Sequence, residues 1–310
     1  MSDLLIGLLG VLVATNQPAA ISNLANQTVG ISVAVPNDPV EKEFQKVMQE
    51  DDAAQAEVDK WRQESKTVSK KTGEASSSDL GERIRKRLVP VRKSYDELIH
   101  RYPDYAPARL TYGSFLNQTG DEHAASQQWE KARELDPKNG ASWNNLANYY
   151  GEHGPVKKAF EYYSKAIEID PVEPLYLSNF ADTVSLFRKE AMVYYHLDEQ
   201  QVFIKALGLY QQALKLDPKN FKLAQDLAQT YYGIKPTPTD AALNAWTNVL
   251  NLAASDFEKQ GVYLHLARFK LNANRFDEAR EQLKDVTDES YQERKRSLLK
   301  NIEARQPKSN

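Results

Sequence analysis

Three prolines divide the middle of the chain into equal lengths, since Pro103, Pro137 and Pro171 each stand 34 residues after the one before. Each follows a segment whose apolar residues have helical spacing, and proline disfavours helical geometry in the residue before it. A fixed period of this length is typical of repeated helix pairs, in which neither helix can bury its apolar face alone. The period therefore predicts an all-α array of tandem repeats.

The sequence WNNLANYY, residues 143–150, shows one of these helices in detail. Its apolar residues stand at i, i+3, i+4 and i+7, which is one face of an amphipathic helix. A second helical pattern follows it and ends at Asp170-Pro171. Small residues such as Ala147 and Ala159 are expected to let the two helices approach closely, and Trp143 is expected to fill the space against the next pair.

Eight residues of the unit from Gly140 to Glu173 fit a known pattern of small and large side chains: Trp143, Leu146, Ala147, Tyr150, Ala159, Tyr163, Ala166 and Pro171. In these residues the chain resembles the tetratricopeptide repeat family, and the resemblance extends over about residues 90–286. It implies an all-α, right-handed superhelical solenoid of about five helix-turn-helix repeats. A C-terminal capping helix and a separate N-terminal helical segment would complete the fold.

In that family the first helix of each repeat lines a binding groove, so the resemblance also implies groove residues. A carboxylate clamp of the kind found in the family's chaperone adaptors fits poorly, because Asn144 and Asp226 stand where those adaptors carry cations. An extended protein segment bound through its main chain fits better. The candidate groove residues are Asn144, Asn145, Asn148, Asn179, Asp182, Lys222, Asp226 and Gln229.

The asparagines of WNNLANYY support this interpretation, because asparagine is less favourable than alanine in a helix by about 0.7 kcal/mol. Amide groups can donate to and accept from a peptide main chain. The alternative is that they only solvate an empty groove. In both cases Asn148 is expected to lie outside the packed core and to contribute little to folding.

An insertion interrupts the period, because Pro218 lies 47 residues after Pro171. It falls near residues 188–200 and predicts a first helix lengthened by about two turns. Asp198 would then cap the following helix together with Gln201, three residues later. This insertion arm carries three candidate contact residues, which could instead brace the lengthened pair internally: Met192, Tyr194 and Tyr195.

The N-terminal third has a different character, because residues 4–37 contain no charged side chain and residues 4–14 are nearly all apolar. This stretch is interpreted as a helix docked on a protein or membrane surface, with an export signal or a membrane span as alternatives. Residues 29–35 have strand-like alternation, and helices are predicted at 40–50 and 52–64. The predicted divisions are 1–37 apolar segment, 38–65 helical segment, 66–79 flexible linker, 80–290 repeat domain and 291–310 capping helix with tail.

Composition and charge narrow the kinds of partner and site that the chain is expected to have. A net charge of -3 offers little general attraction to phosphate backbones, so no nucleic-acid partner is expected. Basic residues at 83–93 and 294–300 are interpreted as solvated helix faces, with a polyanion contact as the alternative. The chain has no cysteine, and its five histidines show no metal-ligand spacing, so no catalytic residue, metal site or cofactor is predicted.

The sequence thus predicts a non-enzymatic adaptor or scaffold whose partner is a protein of unidentified sequence. One alternative is an assembly factor that contacts a membrane surface through residues 4–14. Another is a substrate-recruiting subunit of an enzyme encoded elsewhere. A cytoplasmic or membrane-associated location is favoured over export.

Overall fold

The computed structural model describes residues 38–72 and 78–306, and every regular element within them is a helix. The chain divides into an N-terminal unit that ends at Asp170 and a C-terminal unit that begins at Pro171. The apolar stretch 4–14 and the strand expected at 29–35 lie outside the described residues. Within the described part, no helix is long and apolar enough to cross a membrane.

The N-terminal unit contains three helix pairs. Its first pair lies before the repeats and buries Phe44, Val58, Tyr95 and Leu98. The helices are α1 Pro39–Thr72, α2 Ser78–Arg101, α3 Ala106–Gln118, α4 Glu122–Leu135, α5 Gly140–His153 and α6 Val156–Ile169.

Helix α1 corrects two expectations. It runs from Pro39 to Thr72 without interruption, so the two separate helices predicted at 40–50 and 52–64 are wrong. It also extends into 66–79, the segment predicted as a flexible linker, and α2 begins within that segment at Ser78. The residues at 50–52 are Glu-Asp-Asp, which are compatible with a helix interior when tertiary packing on either side supports them.

Small residues bring the paired helices together, as expected. Ala147 and Ala159 are fully buried between α5 and α6. In the pair before it, Gly113 of α3 faces Trp129 of α4 so closely that an added Cβ would stand 2.4 Å from the indole Nε1. The helices begin at side-chain caps, for example where Asp121 accepts a hydrogen bond from the backbone of Ala124.

The C-terminal unit contains three further repeats and a terminal helix. The helix expected to run on through the insertion instead ends at Leu186, and Phe187 joins it to a separate short helix. The capping box predicted at Asp198 and Gln201 is confirmed. The helices are α7 Pro174–Leu186, α8 Arg188–Tyr195, α9 Glu199–Leu216, α10 Phe221–Thr230, α11 Thr239–Leu252, α12 Asp256–Asn272, α13 Phe276–Lys284 and α14 Gln292–Arg305.

Helix α14 closes the end of the unit, which confirms the predicted capping helix. Ile302 and Tyr291 join the buried cluster of α12 and α13, and Leu298 and Leu299 pack against it. Lys295 donates a hydrogen bond to the backbone oxygen of Val286, so one of the basic residues of this helix also holds it in place. The solvated-cap interpretation of residues 294–300 agrees with this arrangement.

Candidate peptide-binding surface

The candidate groove residues lie on the first helices of three repeats and belong to both units. Three of them, Asn144, Asn145 and Asn148, lie on α5 in the N-terminal unit. The other five lie on α7 and α10 in the C-terminal unit.

The three asparagines of α5 are buried, whereas the sequence placed them on a side of the helix away from the core. Asn144 is 2% exposed, and Asn145 and Asn148 are each 8% exposed. The reason is that α5 packs against both α4 and α6, which covers more of its circumference than the apolar stripe alone indicates. The alternative that these asparagines only solvate an empty groove does not fit their burial.

Asn148 belongs to the packing. Its Oδ1 accepts a hydrogen bond of 2.5 Å from the hydroxyl of Tyr163, a fully buried residue of α6. Removing this amide would leave a buried hydroxyl without its acceptor, which typically costs about 1–3 kcal/mol. The expectation that Asn148 lies outside the packed core is therefore wrong.

The amide of Asn145 is hydrogen-bonded within the protein through its oxygen. Its Oδ1 accepts a hydrogen bond of 3.3 Å from Nδ2 of Asn144. Its own Nδ2 donates to no other described residue. In the preceding repeat Thr111 occupies the same position, 34 residues earlier, and its buried Oγ1 likewise has no hydrogen-bond partner among the described residues.

The C-terminal unit carries charged residues at the corresponding positions. Asp182 of α7 accepts a hydrogen bond from the hydroxyl of Tyr210, which lies on α9. Asp226 of α10 accepts two hydrogen bonds from Lys222 Nζ, at 2.5 and 2.6 Å. Asn179 of α7 is 3% exposed, and Gln229 of α10 is half-buried.

The carboxylates of Asp182 and Asp226 affect each other. Burial, together with the negative charge of Asp226, raises the pKa of Asp182 to about 7, although the Tyr210 hydroxyl and the Lys222 ammonium oppose the shift. Burial also raises the pKa of Asp226, while Lys222 lowers it. Near neutral pH the pair therefore holds one negative charge more readily than two.

The raised pKa of Asp182 predicts that the effect of Asp182→Asn on stability depends on pH. The folded pKa of Asp182 lies above the ordinary value, so the native state holds the proton more tightly between about pH 4 and 7. The contribution of Asp182 to stability therefore falls as pH rises through that window. The substituted asparagine would keep an acceptor for Tyr210 and carry no charge, so the variant should gain stability relative to wild type on going from pH 5 to pH 8.

Urea denaturation at the two pH values measures this difference, and we expect a change on the order of 1 kcal/mol. Asp285→Asn is the control, because Asp285 is exposed in the same unit. A pH-independent effect of Asp182→Asn would contradict the raised pKa.

The insertion-arm residues are half-buried within the C-terminal unit. Tyr194 and Tyr195 form an edge-to-face pair with ring centroids 4.7 Å apart. The ammonium of Lys205 lies 4.2 Å from the ring centroid of Tyr195. The contact of Lys205 with Tyr195 joins α8 to α9, as expected if the arm braces the repeat. A contact role for Met192, Tyr194 and Tyr195 stays a prediction.

The basic residues of α2 are engaged with acidic neighbours. Arg87 pairs with Glu57 at 2.8 Å, and Arg92 pairs with Asp121 at 2.9 Å. Arg83 lies over the ring of Trp61, 3.8 Å from its centroid. The charges of Arg87 and Arg92 are partly neutralised within the protein, which weakens the alternative of a polyanion contact at 83–93.

His265 is half-buried and packs against an aromatic residue of the neighbouring helix. At the first-helix position equivalent to Asn145 in the last repeat, it stacks on Trp246 with ring centroids 3.9 Å apart. Burial, with smaller effects from Arg268 and Arg294, lowers its pKa to about 3. His265 is therefore neutral near pH 7, and its ring fills space between α11 and α12.

Comparison with known proteins agrees with this architecture. The family model of the tetratricopeptide repeat matches residues 140–173. These are the bounds of the unit identified from its pattern of small and large residues. The structure of YrrB, described as a tetratricopeptide repeat protein with an unusual peptide-binding site, has a TM-score of 0.52 and 15% sequence identity. It covers 67% of this chain and 99% of its own.

Two curated relatives are each 26% identical to the chain. The RNA polymerase-associated protein CTR9 of Caenorhabditis elegans matches over 150 residues, which are 46% of this chain and 12% of CTR9. The photosystem I assembly protein Ycf3 of Cyanophora paradoxa matches over 147 residues, which are 46% of this chain and 81% of Ycf3. The chain thus spans a small part of the first relative and most of the second.

Proposed function

We propose that this tetratricopeptide repeat protein is a non-enzymatic adaptor that binds an extended protein segment along the first helices of its repeats. The fold supports a role in protein interaction. The finer proposal concerns the mode of binding, in which hydrogen bonds from first-helix side chains reach the main chain of the bound segment.

The observation that carries this proposal is the unused donor of Asn145. Asn145 is 8% exposed, and its Nδ2 donates to no other described residue. Because Nδ2 is not fully enclosed by the protein, it can reach an acceptor outside it. A main-chain carbonyl of a bound segment would supply the missing acceptor. Thr111 places another polar side chain at the same position in the preceding repeat, as recognition of an extended chain by tandem repeats requires.

The charged residues of the C-terminal unit extend the proposal. Asp182 and Asp226 offer carboxylate oxygens, and the side chain of Lys222 is 69% exposed. An extended segment alternates donors and acceptors along its main chain, so a surface that provides both can bind it without reading a particular sequence. Gln229 is half-buried on the same helix as Asp226 and presents both kinds of group.

The test uses Asn145→Asp, which keeps the shape of the side chain and the acceptor for Asn144 but removes the donor. Peptides are first selected from a random library for binding to the wild-type chain. Their affinity is then measured by fluorescence anisotropy. Leaving a buried carbonyl unpaired typically costs about 1–3 kcal/mol, so the variant should bind roughly five- to a hundredfold more weakly.

Asn251→Asp is the matched control, because Asn251 is exposed on α11 and the same charge is introduced. It should leave affinity unchanged, and far-UV circular dichroism should show that both variants are folded. Wild-type affinity in Asn145→Asp would contradict the proposed binding mode. A library from which no peptide is selected would contradict peptide binding itself.

The similarity to Ycf3 favours one second candidate, an assembly factor for a larger complex. In this alternative the decisive contact is made by the apolar residues 4–14. The two candidates differ in what a deletion of residues 1–36 does. The adaptor should retain peptide affinity after the deletion, whereas the assembly factor should lose its association with the complex.

A further inference from the structure

Three side chains with metal-binding atoms meet where two consecutive repeats of the N-terminal unit adjoin. Glu122 lies in the first turn of α4, and Glu152 and His153 lie in the last turn of α5. His153 Nε2 is 2.8 Å from Glu122 Oε2. One nitrogen or oxygen atom from each of the three residues lies within 4.8 Å of the other two.

The orientation of the imidazole exposes the nitrogen that a metal would use. His153 Nδ1 lies 3.0 Å from the backbone oxygen of Tyr149. A carbonyl oxygen can only accept, so Nδ1 carries the proton and a neutral ring presents the lone pair of Nε2 towards Glu122. Metal-binding histidines are typically held this way, with the second ring nitrogen donating to a carbonyl or carboxylate. The ring is also stacked on Tyr149, with centroids 4.4 Å apart.

Two acceptors that face each other at 2.8 Å need a positive charge between them. A second proton on His153 would supply one charge and balance Glu122, but a second carboxylate is also present. The group therefore offers one imidazole nitrogen and two carboxylate oxygens, within 4.8 Å of one another, to a single divalent cation.

We propose that Glu122, Glu152 and His153 bind one Zn²⁺ ion. A set of one imidazole nitrogen and two carboxylate oxygens suits zinc, whereas magnesium and calcium prefer oxygen ligands throughout. With metal–ligand bonds of about 2.0–2.2 Å, tetrahedral ligand atoms stand about 3.3 Å apart. The side chains of Glu122 and His153 are 44% and 40% exposed, so small rotations can open their 2.8 Å contact to that spacing.

Such an ion would join consecutive repeats in the N-terminal unit. Glu122 belongs to the second helix of one repeat, and Glu152 and His153 belong to the first helix of the next. In repeat proteins each repeat is stabilised by contacts with its neighbours, so a ligand shared by two repeats stabilises their interface.

The test is isothermal titration of the full chain with ZnCl₂ after treatment with a chelator. We expect one site per chain in the wild type, with an affinity at least about tenfold weaker in His153→Gln and in Glu152→Gln. Changes in the outer partners of a metal site already cost about 10- to 100-fold in affinity, so removing a ligand should cost at least as much.

His123→Gln is the matched control. His123 lies next to Glu122 in the sequence, and its Nδ1 is 3.4 Å from the hydroxyl of Tyr149, yet it is outside the three-residue group. This variant should bind zinc as the wild type does. Circular dichroism checks that each variant is folded, and the partial exposure of the substituted residues makes unfolding unexpected.

Two results would overturn the proposal. If Glu152→Gln binds zinc with wild-type affinity, the second carboxylate is not a ligand. If the wild type shows no zinc site, the contact of His153 with Glu122 is a simple ion pair. Equal weakening in His123→Gln and His153→Gln would show diffuse surface binding, which also contradicts a site of three residues.

Discussion

Replacing Trp129 with alanine is expected to lower the free energy of unfolding of the N-terminal unit by about 3–5 kcal/mol. Trp129 is 2% exposed, and its Nε1 donates a hydrogen bond of 3.3 Å to the backbone oxygen of Leu110. The ring fills the space between α3 and α4 that Gly113 leaves open. Alanine would create a large cavity and leave the Leu110 carbonyl without this donor.

Trp143→Ala is the comparison that makes this result informative, because the sequence singled out Trp143 as the large core residue. Trp143 is only half-buried. Its ring contacts Tyr162 and the guanidinium of Arg133. Its loss should therefore cost less, about 1–2 kcal/mol. Urea denaturation followed by circular dichroism compares the two variants, and equal losses would contradict this difference in packing.

Gly113→Ala is expected to destabilise the same helix pair by about 1–3 kcal/mol, although alanine is the better helix former. An added Cβ would stand 2.4 Å from Nε1 and 2.5 Å from Cδ1 of Trp129, and 3.1 Å from the backbone oxygen of Ala125. The indole ring is enclosed on all sides and cannot move aside without opening the interface between α3 and α4.

Gly208→Ala is a control that is expected to change the free energy of unfolding in the opposite direction. Gly208 lies inside α9, and an added Cβ would meet no atom within 4 Å. Alanine should therefore stabilise the protein by about 0.5–1 kcal/mol through helix propensity alone. If both variants shift the denaturation midpoint in the same direction, the close approach at Gly113 does not determine its effect.

The repeats could be predicted from the sequence because their packing is local. Small residues at Ala147 and Ala159 and the proline after each second helix fix the length and pairing of the helices, and the unit at 140–173 was located from these features alone. The insertion shows the limit of this reasoning. Its length indicated extra helical turns, but the break at Phe187 depends on how α8 packs against α9.

The site was harder to predict, because burial in a repeat array comes from three neighbouring helices. The apolar stripe of WNNLANYY indicates one contact face, while α5 is covered by α4 as well as α6, so the asparagines are buried too. The hydrogen bond between Tyr163 and Asn148 joins residues of two helices, so no periodic pattern in the sequence indicates it. The contact of Glu122 with His153 was missed for the same reason, since sequence spacing identifies metal ligands only when they lie close along the chain.

The central claim is that the first helices bind an extended segment, and site-specific photo-crosslinking tests it most directly. A photoreactive residue is placed at Gln229, a half-buried first-helix position, or at Gln212, an exposed second-helix position of the preceding repeat. A peptide selected for binding to the wild type is then added, and crosslinked product is measured by mass spectrometry. The proposal predicts a several-fold higher yield from position 229 than from position 212, whereas equal yields, or a higher yield from position 212, would contradict it.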